Sequence, residues 1–389
     1  LGAVVTTVFT WDRARWKRAR RVAALFTSQV LVVLTALTIV NSSQGFFTSW
    51  SDFSGATNAR LSTTGPVHAG TSGSAPGQQL TAAVAAARKA VKPGRGVMAS
   101  VTIAGARTGY RLPARIYFPA AYFDPEQSDR IFPVVMFFNG FLGSVDTFQR
   151  KLGADRVLDE LIASGKMQAT VAVVPEKNPH RPKDSECIDA VGGDRSDTYL
   201  SQDVPEVIKQ ELRVSQHRSG WAAMGYSTGG FCATNLALRH PDVFAAALNL
   251  SGNYRPYIDS TTGDLFRGDR AAHRANTPVH TITQPRTCPL SFYLFVSRGD
   301  PVASREQREF VPRVKAPDAV TIVFLERGGH NFGVWRRALP NAFTWVGRVL
   351  HAYGVGDQCP TAAPNPGAGP DGGLGAAPRT PPTGSDPKR

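Results

Sequence analysis

Residues 221–239 contain the sequence feature that most restricts the fold. An apolar stretch, Trp221 to Met224, runs into Gly225-Tyr226-Ser227-Thr228-Gly229-Gly230, and a helix-forming segment continues to Arg239 before Pro241 stops it. A strand that turns directly into a helix leaves no space for side chains where the two backbones cross. Gly225 and Gly229, two residues either side of Ser227, provide that space, and the turn pushes the serine out at the carboxyl end of the strand. Gly230 lets the helix start tight against the sheet. Such a turn belongs to a strand with helices packed beside it, which points to an α/β architecture.

The rest of the chain fits this reading. Val97–Ala104 and Leu112–Phe118 read as two consecutive strands with a turn at Gly105 and Gly109. Phe132–Phe138 and Ala169–Val174 are continuous apolar runs, the pattern of strands covered on both faces. Ala245–Leu250, Phe292–Val296 and Val320–Leu325 are further strands, and helical periodicity marks Arg156–Ser164, Val204–Leu212 and a closing helix at Phe343–Leu350. This alternation predicts a mostly parallel, doubly wound sheet with helices on both faces. No internal repeat is visible.

A serine hydroxyl needs a base to become a nucleophile. His330 lies in Glu326-Arg327-Gly328-Gly329-His330-Asn331-Phe332, after one strand and before a helix, where a glycine-flanked loop can hold an imidazole over Ser227. An acid that orients the imidazole belongs after the preceding strand, and Ser297-Arg298-Gly299-Asp300 puts Asp300 there; Glu306 is the alternative acid. The oxyanion of an acyl-transfer intermediate needs two backbone donors. The amide of Thr228 is one. Phe141, in Asn139-Gly140-Phe141-Leu142-Gly143, is the other, with Leu142 in reserve. His351 is expected to be structural inside the final helix, and His180, His273 and His280 to lie on the surface or towards substrate. Lys177, His180, Arg181 and Lys183 read as a solvated loop. The long segments 176–197 and 252–289 are expected to cover the site and set specificity. No metal or cofactor is called for.

Between Val22 and Ser51 there is no charged residue, and Val22–Val40 is long and apolar enough to span a bilayer. Six basic residues between Arg13 and Arg21 precede it, which leaves that end in the cytoplasm and the bulk of the chain outside. A cleaved signal peptide and a buried soluble helix are the competing readings. The apolar Leu1–Thr10 also fits the tail of an earlier span. The net charge of +14 is concentrated beside this segment or scattered as Arg, with no basic run interleaved with aromatics, so nucleic acid is not an expected partner. The expected organisation is a membrane segment over 1–53, a Ser/Thr/Gly-rich stalk over 54–79, a catalytic domain over 80–356 and a Pro/Gly-rich tail over 357–389. Cys187, Cys232, Cys288 and Cys359 match no metal-ligand spacing and favour disulfides outside the cytoplasm, with three connectivities open and a free buried thiol the alternative for Cys232.

Together, Gly-Tyr-Ser227-Thr-Gly-Gly, Gly-Asp300 and Gly-Gly-His330-Asn-Phe-Gly-Val-Trp335 resemble the esterase family that includes feruloyl and enterochelin esterases, S-formylglutathione hydrolases and mycolyltransferases. The resemblance spans about 97–350. It implies an α/β-hydrolase core, which the N-terminal transmembrane helix read above would precede, a Ser227–Asp300–His330 triad and an oxyanion position at Phe141. The acid of the mycolyltransferases, a Glu slightly further on, corresponds to Glu306. A membrane-anchored member with its catalytic domain outside resembles the actinobacterial envelope esterases of this group. The expected activity is hydrolysis of a small-molecule, lipid or sugar ester through an acyl-enzyme on Ser227. The alternatives are acyl transfer to an envelope lipid or sugar, and a catalytically silent envelope scaffold or binding protein.

Overall fold

The computed structural model describes residues 17–44, 76–286, 288–353 and 359. Helix α1 (Lys17–Gln44) contains the span Arg21–Ile39, which is long and apolar enough to cross a membrane; a signal sequence meets the same requirement. The stretch read as a stalk lies outside the described residues up to residue 75. From Pro76 the chain is helical, as α2 (Pro76–Ala90). Of the C-terminal tail, only Cys359 is described.

The body is one eight-stranded sheet. Two antiparallel strands come first, β1 (Val97–Ala104) and β2 (Arg111–Phe118). Then follow β3 (Val134–Phe138), helix α3 (Ala154–Ala163), β4 (Val171–Pro175), α4 (Val204–Glu211), β5 (Trp221–Tyr226), α5 (Thr228–Arg239) and β6 (Ala246–Leu250). The chain continues through β7 (Ser291–Ser297), α6 (Pro301–Phe310), β8 (Ala319–Leu325) and α7 (Phe332–Val349). The strand order is β1-β2-β4-β3-β5-β6-β7-β8. From β4 to β8 every pairing is parallel; β2 meets β4 antiparallel.

Every residue of β3, β4, β5 and β6 is buried. Helices lie on both faces of these central strands, so a strand with an alternating polar side would leave polar groups unsatisfied there. One apolar cluster gathers α2, α4 and α5 against the sheet, and a second gathers α3 and α7 on the opposite face. β8, at the edge, keeps Ile322 and Phe324 exposed.

Several boundaries differ from the sequence reading. β3 starts at Val134 because Pro133 has no N–H for a ladder, and Phe132 instead bridges to Val214. The closing helix extends back to Phe332, where the Asn331 side chain accepts the Val334 N–H at 3.1 Å and caps it. His351 therefore lies beyond α7 and is exposed, not inside the helix. Cys187 pairs with Cys232 and Cys288 with Cys359, so Cys232 is not a free thiol.

Candidate active site

Ser227 connects β5 to α5 with φ 54° and ψ −130°, a conformation that a non-glycine residue holds only when its surroundings enforce it. The surroundings do so on both sides. Its N–H donates to the Leu250 carbonyl at 3.0 Å, and its carbonyl accepts the Gly230 N–H at 2.8 Å. A Cβ on Gly229 would run into the Phe138 carbonyl, and one on Gly225 would strike the backbone of Gly229. The glycine spacing in the sequence is thus a record of three backbones, β3, β5 and α5, passing at contact distance.

Two neighbouring strand ends bring the other groups to this serine. β7 leads into Asp300, which is buried and caps α6 by accepting the Ala303 N–H at Oδ1, 3.1 Å away. β8 leads into the loop that holds His330. The Ser297 hydroxyl donates to the Gly328 carbonyl at 2.8 Å, and Gly299 lies so close to Gly328 that a Cβ could not fit between them. The two loops are therefore fixed to each other before their functional side chains meet. His330 Nδ1 stands 2.6 Å from Asp300 Oδ2, and its Nε2 stands 2.8 Å from Ser227 Oγ. With Asp300 ionised, the proton belongs on Nδ1, which leaves Nε2 free to accept from the serine hydroxyl.

The loop after β3 abuts the same point. A Cβ on Gly140 would lie 3.0 Å from the Ser227 Cβ, and Gly143 N–H donates to the Gly140 carbonyl at 2.9 Å, closing a tight turn. Phe141 sits at the tip of this turn, and Leu142 has φ 67° with an exposed side chain. Thr228, the other predicted amide donor, is the first residue of α5.

Glu306 is not beside the imidazole. Its buried carboxylate accepts the Tyr254 N–H at 2.7 Å and the Tyr257 hydroxyl at 3.4 Å, while the imidazole Nδ1 is taken by Asp300. Asp300 precedes the helix and reaches back over its N-terminus; Glu306 lies inside the helix and points at the 252–263 loop.

Of the four residues read as a solvated loop, His180, Arg181 and Lys183 are exposed and Lys177 is not. Lys177 is buried and ion-paired with buried Asp184, because an ammonium taken out of water requires a counter-charge. Arg181 pairs with Glu176 at 2.8 Å and also donates to the Leu142 carbonyl at 3.3 Å, and exposed His180 meets Asp194 at 2.8 Å. Only Lys183 of the four stays in water without a described acidic partner. Glu186 accepts the Tyr257 N–H at 2.9 Å, and burial, followed by the nearness of Asp184, pushes its carboxyl up to about 8. The segment is also bonded to α5, through the Cys187–Cys232 disulfide and through Asp197, which accepts from Arg239 at 2.6 Å and meets His240 at 2.5 Å. Burial works against the Asp197 charge, yet His240 and Arg239 hold its carboxyl down at about 2.

The sequence reading did not single out the aromatic group behind the imidazole. Trp335 stands perpendicular to His330 with ring centroids 5.0 Å apart, and Tyr226 lies against Trp335 at 4.4 Å. Phe332 closes the group. The signal was present as two large aromatics three apart on one face of α7, directly after the histidine. Among the described residues, no group of three or more His, Cys, Asp or Glu is placed to hold a metal ion.

Comparison with known proteins places this arrangement. An uncharacterized protein of Corynebacterium glutamicum is 29% identical over 245 residues, covering 60% of this chain and 57% of that protein, so the match spans little more than half of the relative's length. Among solved structures, a ferulic acid esterase superposes with a TM-score of 0.57 at 19% identity, covering 66% of this chain and 99% of its own. An S-formylglutathione hydrolase from Agrobacterium tumefaciens gives 0.57 at 17% identity, covering 67% and 98%. These likenesses establish the α/β-hydrolase fold. Residues 105–346 match the family model Esterase, described as "Putative esterase". That match runs from the β1–β2 turn into α7 and takes in every strand-end loop described above, and the chain belongs to the Esterase family.

Proposed function

We propose that this protein is a serine carboxylic-ester hydrolase that works through an acyl-enzyme on Ser227. The reading is carried by one observation: Ser227 Oγ, His330 Nε2, His330 Nδ1 and Asp300 Oδ2 form a continuous line of hydrogen-bond contacts at 2.8 and 2.6 Å. His330 takes the serine proton as Oγ attacks the ester carbonyl. Asp300 keeps the imidazole in the required tautomer and balances the charge that forms on it. The tetrahedral oxyanion is held by the Thr228 and Phe141 amides, one opening α5 and the other on the turn packed against Ser227. The alcohol leaves with the proton from His330. Water then repeats the sequence and releases the acid.

Membership of the Esterase family supports acyl transfer from an ester to water or to another hydroxyl. The span in α1 supports an anchor, with the sheet domain over 80–356 on the far side of the membrane. The substrate is then an ester of a small molecule, a lipid or a sugar that is accessible there.

Labelling with a fluorophosphonate tests the mechanism. Wild type is expected to label covalently and to hydrolyse a p-nitrophenyl ester, and Ser227→Ala to do neither. Equal labelling of the Ser227→Ala variant would remove Ser227 from the reaction. Product analysis with and without an acceptor alcohol then shows whether water or a hydroxyl receives the acyl group.

A further inference from the structure

At the amino-terminal end of the sheet, opposite the end that carries Ser227, there is a second concave site. A cleft of about 280 Å³ opens between the residues before β3, Gln168 three positions before β4 and the end of α7. Arg130, Ile131, Gln168, Arg348, His351 and Tyr353 form its walls, and none of its lining residues is acidic.

Its walls are firmly held. The Gln168 side chain donates to the Gly347 and Leu350 carbonyls at 3.0 and 2.7 Å, which fixes the end of α7 to the start of β4. The backbone of His351 is bonded to Ser219 twice, its N–H donating at 2.8 Å and its carbonyl accepting the serine hydroxyl at 3.1 Å. The Tyr353 hydroxyl accepts the Ile131 N–H at 3.4 Å, so its own proton remains available to another acceptor. Arg130 is oriented by donating to the Gln127 side chain at 2.6 Å and by lying over the Phe132 ring at 5.2 Å. These partners are neutral. Arg348, in the last turn of α7, is exposed. Among the described residues neither arginine has a carboxylate within ion-pair distance.

Two permanent cations and an imidazole thus share a rigid cleft with no counter-charge from the described protein. Guanidinium groups cannot lose their charge at any working pH, so the cleft stays cationic and favours an anionic occupant. Two guanidinium forks and a phenolic O–H offer more donors than the two oxygens of a carboxylate can use, which suits the three oxygens of a phosphoryl group. The exposed ring of Tyr353 and the side chain of Ile131 offer an apolar surface beside it. We infer that this cleft binds a phosphomonoester with a short apolar or aromatic stem, separately from the ester site.

The test uses the full chain in dodecyl maltoside and measures calorimetric binding of phenyl phosphate. The expected result is one site per chain, weakened at least tenfold by Arg348→Gln and by Arg130→Gln. Arg348→Lys, which keeps the charge and loses the fork, should lie between. Hydrolysis of a p-nitrophenyl ester should be unchanged in all three variants, and Ser227→Ala should bind phenyl phosphate as wild type does. Dihexanoyl phosphatidic acid is the second probe. Tighter competition than phenyl phosphate at the same residues assigns the site to a lipid headgroup, and weaker competition assigns it to a free phosphomonoester. Absence of binding, binding indifferent to both arginines, or binding lost on Ser227→Ala would overturn the inference. Because it is read by binding, its failure is separate from failure of the esterase reading.

Discussion

His330 and Trp335 stand with their ring planes at 89° and their centroids 5.0 Å apart, so the indole limits the movement of the imidazole on the side away from solvent. Trp335 is itself buried and supported by Tyr226 at 4.4 Å. Truncating it removes the backing of the proposed base without touching any reacting group. Trp335→Leu is expected to lower kcat by about tenfold or more through lost positioning, with little change in KM. Trp335→Phe should recover part of the loss. Steady-state kinetics on a chromogenic ester, with a thermal melt to confirm folding, checks this.

Asp300 uses its two carboxylate oxygens differently, Oδ1 for the Ala303 N–H and Oδ2 for His330. Asparagine is also a good N-cap. Asp300→Asn should therefore keep the melting temperature nearly unchanged while kcat falls by about 10³-fold or more, because the amide cannot hold the imidazole in the required tautomer. Glu306→Gln, which keeps an acceptor for the Tyr254 N–H, should leave kcat within about threefold of wild type. The opposite ranking would transfer the acid role to Glu306.

Cys187 and Cys232 join the segment 176–197 to the helix that begins after Ser227, closing a loop with a sequence separation of 45. A loop of that size restricts the unfolded chain by about 4 kcal/mol. Cys187→Ala with Cys232→Ala should lower the melting temperature by several degrees. It should also increase amide exchange over 176–197, since the ion pairs of Asp197 and the packing of Ile188 with Phe231 would then hold that segment to α5 without a covalent link. Hydrogen exchange read by mass spectrometry checks both parts.

Glu186 gives a pH signature. Its folded carboxyl titrates near 8, against an ordinary value of 4.5, because burial and then Asp184 disfavour the charge. Below about pH 4.5 it is protonated in both the folded and the unfolded chain and has no effect on the pH slope. As pH rises towards 8 the unfolded chain loses the proton and the folded chain retains it, so stability falls across that window. Glu186→Gln should show a stability gain over wild type that grows from pH 5 to pH 8 and then levels off, reaching a few kcal/mol at most. Denaturant midpoints at pH 5, 6.5 and 8 measure it.

The parts of the fold that could be read from the sequence are those where one local demand dominates. β3 and β4 were visible as apolar runs because burial on both faces leaves no polar position to blur the pattern. The Ser227 turn was visible because the close approach of Phe138, Gly225 and Gly229 demands glycine whatever else surrounds it. Candidates after β7 and β8 could be named from strand ends alone, but the separation of Asp300 from Glu306 depends on the pitch of α6, which the sequence does not state. Lys177 was misread for a related reason. It looks like a solvated charge until Asp184 is brought beside it by the fold. Disulfide pairing and the basic cleft at the end of α7 are relations between distant segments, and no local pattern encodes them.

The order of the strand ends also governs when the chain can become active during its synthesis. Ser227 leaves the ribosome more than a hundred residues before His330, and the intervening segments include β6, β7 and β8. Until β8 has docked on β7 and the Ser297 hydroxyl has joined the Gly328 carbonyl, the imidazole has no fixed place over the serine. A nascent or truncated chain that ends before β8 carries the proposed nucleophile without its proposed base, so on this reading hydrolysis waits for the last strand to dock.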